Sequence, residues 1–233
     1  MIKVISFKIC PFVQRVTALL EAKKVPYQIE YISLKDKPEW FLDISPTGQV
    51  PVLVTEGGKA LFESDAIAEY LDEVYAPLEP AITPERRATD RAWSYQATKH
   101  YLVQCSTMTS PDGITLTDRV GKLNKAFERA EKQMGVGPYF NGDTLGNVDA
   151  AWLPLLHRAA IISIHRDYDF LAKFPKMKQW QSNLLSTGLA EKSVSEDYET
   201  VFTDFYLSET TYLGSGRSGN SQLENQCKNG TCC

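Results

Sequence analysis

The chain has 233 residues, of which 43% are hydrophobic and 23% charged, enough to bury one large core or two smaller ones. Its formal net charge of −4 comes from 25 basic and 29 acidic residues, so the overall basic charge typical of nucleic-acid-binding proteins is absent. No segment approaches about 18 consecutive apolar residues, and residues 1–8 lack an apolar secretion signal. We therefore expect no membrane span and no nucleic-acid partner.

The five cysteines do not form the pattern of a disulfide scaffold. Their number is odd, and three of them, Cys227, Cys232 and Cys233, lie in the last seven residues. We expect a reducing, cytoplasmic location. For the three terminal cysteines, binding of a soft metal, lipidation and simple oxidation all stay open. The histidines lack the spacing of metal ligands, so no metal is expected.

Residues 1–75 mix strand and helix patterns. Short β-branched or alternating runs predict strands at 2–7, 27–34, 50–54 and 60–63. A helical pattern covers 11–24, and a second one opens at Ser64 and Asp65. The first strand, the helix and the second strand follow so closely that they imply a parallel pair with a right-handed crossover, and the last two strands read as a hairpin.

The second half of the chain predicts helices only. Pro77 and Pro80 mark residues 76–83 as a stiff linker, and Thr83 followed by Pro84 is a favourable helix start. Helical patterns cover 84–105, 117–134, 147–164, 174–186 and 194–212, with a kink expected at Pro154. Residues 214–233 are rich in Gly and Ser and contain no aromatic residue, which predicts a flexible tail.

Cys10 is the strongest candidate for chemistry. It directly precedes Pro11, at the predicted start of the first helix, where unpaired N–H groups favour a thiolate with a lowered pKa. The alternative is a small, buried and inert cysteine. Val13 stands where a C-x-x-C motif would have its second cysteine, so a redox cycle at Cys10 needs an external thiol.

Two further segments lie at element junctions. Gln49, Val50 and Pro51 precede a strand, and a cis bond before Pro51 would turn the chain there, although most X–Pro bonds are trans. Glu63 and Ser64 lie between a strand and a helix. Ser64 reads as an ordinary N-cap or as part of a site where the helix start receives a carboxylate.

Together, this order of elements with Cys10, Val50–Pro51 and Glu63–Ser64 resembles the glutathione transferase superfamily. The cysteine and the segment 34–41 resemble its omega, cysteine-type class. The resemblance implies an α/β thioredoxin-like glutathione-binding domain (1–75), a linker (76–83) and an all-α domain for the second substrate (84–213), followed by the tail (214–233). No tyrosine precedes Tyr27, which excludes the tyrosine-type variant.

The resemblance also implies roles for individual residues. Cys10 matches the cysteine that forms a mixed disulfide with glutathione, and Phe12 lies beside the sulfur. Lys37 matches a lysine that pairs with the glycyl carboxylate of glutathione. The remaining glutathione-binding residues are Val50, whose backbone binds the cysteinyl part, the cis-proline Pro51, and Glu63 and Ser64, which hold the γ-glutamyl group. Glutathione would be a substrate, and no metal is implied.

In the helical domain the match is looser. Asp149 matches a capping residue that holds the preceding loop, although Gly146 stands where the family usually has Ser or Thr. Arg158 and Tyr198 match residues near the second-substrate pocket. Packing or surface exposure is the alternative for both.

The expected function is thiol transfer, deglutathionylation or dehydroascorbate reduction through a Cys10–glutathione mixed disulfide, in a homodimer. Two alternatives stay open. One is conjugation of glutathione to an electrophile. The other is a non-enzymatic protein of the same fold, similar to the starvation proteins or the chloride intracellular channel proteins.

Overall fold

The computed structural model describes residues 1–216, which form four strands and nine helices. The strands are β1 (Ile2–Ser6), β2 (Tyr27–Tyr31), β3 (Val52–Val54) and β4 (Ala60–Phe62). The helices are α1 (Pro11–Ala22), α2 (Glu39–Ile44), α3 (Ser64–Val74), α4 (Pro84–Met108), α5 (Gly113–Gln133), α6 (Asn147–His165), α7 (Pro175–Leu185), α8 (Leu189–Lys192) and α9 (Tyr198–Tyr206).

The strands form one mixed sheet in the order β2-β1-β3-β4. β1 and β2 are parallel and are joined through α1, whereas β3 is antiparallel to both β1 and β4. This confirms the predicted parallel pair and the hairpin. Val16 and Leu20 of α1 are fully buried against the sheet together with Leu71 of α3. This arrangement is a thioredoxin-like domain.

From α4 onward the described chain is helical, and α6 is its central element. α6 packs against α4 on one side and against α1 of the first domain on another, and every residue from Val148 to Ile162 is buried. Pro154 lies within this helix without ending it. The rings of Phe127, Trp152 and Trp180 pack together in this second core.

Asp149 holds the loop before α6, as predicted. Its Oδ1 accepts from the Phe140 N–H at 2.9 Å and from Trp180 Nε1 at 2.7 Å, while Oδ2 accepts from the Gly146 N–H at 2.8 Å. A side chain at position 146, where the family usually has Ser or Thr, would require the carboxylate end of Glu79 to move.

Several element boundaries differ from the sequence-based ones. α5 begins four residues earlier than predicted, because Asp112 accepts from the Thr115 N–H at 2.7 Å and caps it. The predicted helix 194–212 is replaced by α9 alone. α2 and α8 were not predicted. They have six and four residues, and α2 buries only Phe41, too little to produce a periodic pattern.

The predicted tail begins too early. The Gly214 N–H donates to Thr211 Oγ1 at 3.0 Å, and the Ser215 N–H donates to the Thr211 carbonyl at 2.9 Å. A side chain at position 214 would collide with the backbone of Leu207 and Ser208, so Gly214 belongs to the packed body. Residues 217–233, with the three terminal cysteines, lie outside the described residues. Within residues 1–216, no helix is both long and apolar enough to cross a bilayer.

Candidate active site

Cys10 lies at the junction between β1 and α1. A turn after Ser6 is closed by the Cys10 N–H, which donates to the Phe7 carbonyl at 3.0 Å. Cys10 has an extended backbone (φ −80°, ψ 120°) and precedes the helix, and Pro11 opens α1 as predicted. Proline suits this position because the first helical N–H has no partner within the helix. The thiol is free and half-buried.

Opposing influences act on the Cys10 thiol. Burial raises its pKa from the ordinary value of 9.0 to about 11, because a low-dielectric environment disfavours the thiolate. The N–H groups of Val13 and Phe12 and the Arg158 guanidinium act to lower the pKa. The expected lowered pKa is therefore wrong in its net direction. The donors of the helix N-terminus are present, but burial outweighs them.

Cys10 opens into a cavity of about 290 Å³. All seven residues predicted for catalysis and glutathione binding line it: Cys10, Phe12, Lys37, Val50, Pro51, Glu63 and Ser64. The cavity is also lined by residues to which the sequence analysis gave no binding role, namely Leu34, Thr47, Gly48, Gln49 and Leu102. Lys37 and Glu63 supply one positive and one negative side chain, and both are exposed to solvent. The lining therefore suits a ligand with both charges.

The loop before β3 brings Val50 and Pro51 into this cavity. The Val50–Pro51 peptide bond is cis, which confirms the sequence-based expectation. Ser45 fixes the loop, since its hydroxyl donates to the Gln49 carbonyl at 3.0 Å and accepts from the Gln49 N–H at 3.1 Å. The backbone next to the cavity is thus held by local hydrogen bonds.

The junction between β4 and α3 supplies Glu63 and Ser64. Glu63 is the residue that precedes the helix, and it has a positive φ of 66° with ψ 115°. A non-glycine residue rarely adopts this conformation, and strain of this kind concentrates at functional sites. Ser64 is the first helical residue and is buried, so the expectation that it is the N-cap is corrected by one position. It remains at the helix start, where N–H groups can receive an anion.

Arg158 and Tyr198 lie elsewhere. Neither lines the cavity, and their exposed fractions are 0% and 2%. The guanidinium of Arg158 lies over the Tyr198 ring, 5.8 Å from its centroid. A direct contact of either side chain with a second substrate is therefore not present in this arrangement. Leu102 of α4, 64% exposed, supplies apolar surface to the cavity instead. A sequence pattern cannot single it out among the exposed leucines.

Comparison with known proteins agrees with this fold. The sequence model of the glutathione S-transferase N-terminal domain matches residues 9–74, and that of the glutathione S-transferase C-terminal domain matches residues 112–196. The chain therefore belongs to the glutathione S-transferase family.

Within the family, the chain resembles the omega class and the plant proteins called DHAR. It is 28% identical to glutathione S-transferase omega-1 of Sus scrofa, over 89% of this chain and 86% of the relative. It is 33% identical to the probable glutathione S-transferase DHAR1, cytosolic, of rice, over 67% of this chain and 70% of the relative. Among solved structures, glutathione transferase Omega 3C from Trametes versicolor superposes with a TM-score of 0.74 at 25% identity, covering 88% and 90% of the two chains.

Proposed function

We propose that this glutathione transferase catalyses thiol transfer, reducing glutathione mixed disulfides or dehydroascorbate through a covalent Cys10–glutathione intermediate. The observation that carries the proposal is the composition of the cavity. Among the described residues that line it, Cys10 is the one thiol, and no tyrosine is present. A nucleophile that forms a covalent intermediate must lie where the substrate binds, and Cys10 lines the cavity proposed here for glutathione.

The charged groups of glutathione would each be bound by a different part of the lining. Lys37 would pair with the glycyl carboxylate, and Glu63 with the γ-glutamyl ammonium. Ser64 and the start of α3 would hold the γ-glutamyl carboxylate. The Val50 backbone, before Pro51, would bind the cysteinyl part, and Phe12 would pack beside the sulfur. These roles place the glutathione sulfur toward Cys10.

The reaction then runs in two exchanges. The Cys10 thiolate attacks the glutathionyl sulfur of a mixed disulfide, forms Cys10–S–S–glutathione and releases the other thiol. The thiolate of a second glutathione attacks this bond, which yields oxidised glutathione and regenerates Cys10. With dehydroascorbate, the Cys10 thiolate adds to a carbonyl carbon, and the thiolate of one glutathione attacks the Cys10 sulfur, which breaks the carbon–sulfur bond, releases ascorbate and leaves Cys10–S–S–glutathione. The second glutathione resolves this disulfide, so that two glutathione molecules supply two electrons and two protons to the substrate. Because the pKa of Cys10 is about 11, the thiol must lose its proton before each cycle, and the N–H groups of Phe12 and Val13 stabilise the resulting charge.

One observation favours a second candidate, conjugation of glutathione to an electrophile. A Cys10 that stays protonated near neutral pH leaves the N–H donors of Phe12 and Val13 free for the thiolate of glutathione itself. Cys10 would then be a neighbour of the nucleophile. The two candidates differ in whether the wild type reduces disulfides and whether that activity is lost with the Cys10 sulfur.

The experiment assays disulfide reduction, dehydroascorbate reduction and aryl-halide conjugation side by side in the wild type and in Cys10→Ala. We expect Cys10→Ala to lose both reductions by at least about a hundredfold, since the covalent step is removed. It should still bind glutathione and conjugate at the wild-type rate or faster. Cys105→Ala, a free cysteine of α4 that does not line the cavity, is the matched control and should retain the reductions.

Full reductase turnover in Cys10→Ala would overturn the proposal. Conjugation in the wild type without measurable reduction would select the second candidate. Absence of turnover in all three assays, with glutathione still bound, would select a non-enzymatic binding protein. We further expect the enzyme to act as a homodimer in the cytoplasm, where glutathione is kept reduced.

A further inference from the structure

A fully buried guanidinium lies next to the turn that carries Cys10. Arg158 of α6 has an exposed fraction of 0%. Its Nη2 donates to the carbonyl of Ile9, the neighbour of Cys10, at 3.2 Å. Its Nη1 donates to Gln14 Oε1 at 2.7 Å and to the Pro154 carbonyl at 3.0 Å. These bonds hold the guanidinium against the turn and the helix that position Cys10.

The charge of Arg158 has no carboxylate partner within residues 1–216. All three acceptors are neutral amide or peptide oxygens, and the Nε atom is buried without a hydrogen-bond partner. A second arginine buried in the same region, Arg15, does form an ion pair, with Asp65. Because proteins normally pair a buried charge, an unpaired buried cation calls for an explanation.

The groups around Arg158 are weak acids and one neutral histidine. The weak acids that interact electrostatically with Arg158 are the thiols of Cys10 and Cys105 and the phenols of Tyr206, Tyr198 and Tyr101. Burial raises the pKa of Tyr198 to about 12 and that of Tyr101 further, so both phenols stay protonated. Burial lowers the pKa of His157 to about 3, so it adds no second positive charge. Of these described groups, Cys10 alone lines the cavity.

We propose that Arg158 is a positioning residue whose unpaired charge favours the thiolate of Cys10. It would offset part of the effect of burial on this sulfur through a fixed cation, without touching the substrate. The catalytic consequence rests on the proposed function, in which the Cys10 thiolate is the nucleophile. The electrostatic claim itself needs no substrate. A merely structural Arg158, which ties α6 to Ile9 and Gln14, would hold the domains together without affecting the ionisation of Cys10.

The test measures the rate at which iodoacetamide alkylates Cys10 in the full chain between pH 7 and 11, with peptide mass spectrometry resolving each cysteine. An opposite charge nearby lowers a pKa by roughly one to three units. We therefore expect Arg158→Met to slow alkylation of Cys10 at pH 8 by about tenfold and to move the titration to higher pH. Arg158→Lys, which keeps the charge, should restore most of the rate.

Gln14→Glu separates charge from structure. The new carboxylate keeps the acceptor for Arg158 Nη1 and places a negative charge beside the guanidinium, and the His157 ring can donate to it from Nδ1. We expect the same slowing of Cys10 alkylation as in Arg158→Met, although the arginine is retained. This variant also decides the question if Arg158→Met does not fold.

Arg166→Met is the matched control. Arg166 follows the same helix and also donates to carbonyl oxygens, those of Leu213, His165, Leu207 and Gly214. Its loss should leave the alkylation profile of Cys10 unchanged. Wild-type alkylation of Cys10 in folded Arg158→Met and Gln14→Glu would overturn the inference. Because the assay needs neither glutathione nor turnover, its outcome is independent of whether the reductase proposal fails.

Discussion

Two arginines are buried where the first domain meets the helices, and their surroundings differ. Arg15 of α1 reaches the start of α3, where Asp65 balances its charge, and Thr98 of α4 donates to the same carboxylate at 3.3 Å. Arg158 of α6 reaches the turn at Ile9. Among the described residues its hydrogen-bond acceptors are neutral oxygens, and its guanidinium lies over the Tyr198 ring. The first region has the composition expected of a structural cross-link. In the second region no carboxylate among the described residues balances the charge of Arg158 near Cys10, as expected of a residue that acts electrostatically on the thiol.

Removing the charge of Asp65 should have the largest effect on stability. Asp65→Asn keeps an acceptor for Thr98 but leaves Arg15 buried without its ion pair. Breaking a fully buried pair costs roughly 3–5 kcal/mol, and the 40% exposure of the Asp65 side chain reduces this to about 2–3 kcal/mol. Urea unfolding measures the change. A loss below about 0.5 kcal/mol would show that the pair is not the cross-link described above.

Asp149, at the N-terminal end of α6, should give an intermediate effect. Asp149→Asn places an amide group against the Gly146 N–H, where a carboxylate oxygen now accepts, and should destabilise the fold by about 1–2 kcal/mol. Burial raises the pKa of Asp149 from 3.8 to about 6, so the folded state holds this proton more tightly than the unfolded state. Its contribution is therefore fully present below about pH 3.8 and is lost as the pH rises to about 6.

The unfolding free energies of the wild type and Asp149→Asn, compared between pH 4 and 7, check this sign. The advantage of the wild type should be larger at pH 4 than at pH 7. An advantage that grows with rising pH would mean that the three hydrogen bonds to Asp149 outweigh its burial. Alkylation of Cys10 should not change in this variant, because Asp149 is hydrogen-bonded to a different part of the structure.

Replacing Arg158 should change stability least. Arg158→Met loses three hydrogen bonds, but it also removes an unpaired buried charge, and these two effects oppose each other. We expect a change below about 1 kcal/mol in urea unfolding, together with the slower alkylation of Cys10. A loss as large as that of Asp65→Asn would place Arg158 in the same structural class as Arg15.

The residues predicted to line the cavity came from the family resemblance, which rested on short junctions with local patterns. Cys10 precedes a proline at a helix start, Pro51 precedes a strand, and Ser64 opens a helix. The connections of the thioredoxin-like sheet bring these junctions together, so the order of elements was sufficient to group them. The N-cap of α3 is one residue earlier than predicted, because Glu63, and not Ser64, precedes the helix.

The environment of Arg158 was not predictable from the same kind of pattern. α6 is buried on nearly all sides, so its sequence lacks the apolar stripe that would show which way Arg158 points. The raised pKa of Cys10 was not predicted, for a related reason. The sequence reveals the N–H donors at the start of α1, whereas burial depends on packing by residues far along the chain, such as Tyr101, whose ring contacts Phe12.

The covalent state of Cys10 after exposure to oxidised glutathione tests the central claim most directly. The full-length protein is incubated with oxidised glutathione at several pH values, and intact mass and peptide mapping locate the adduct. We predict one glutathionyl group on Cys10, formed faster as the pH rises toward about 11, released by reduced glutathione and absent from Cys10→Ala. Adducts confined to other cysteines while Cys10 stays free, together with reductase turnover in Cys10→Ala, would contradict the account.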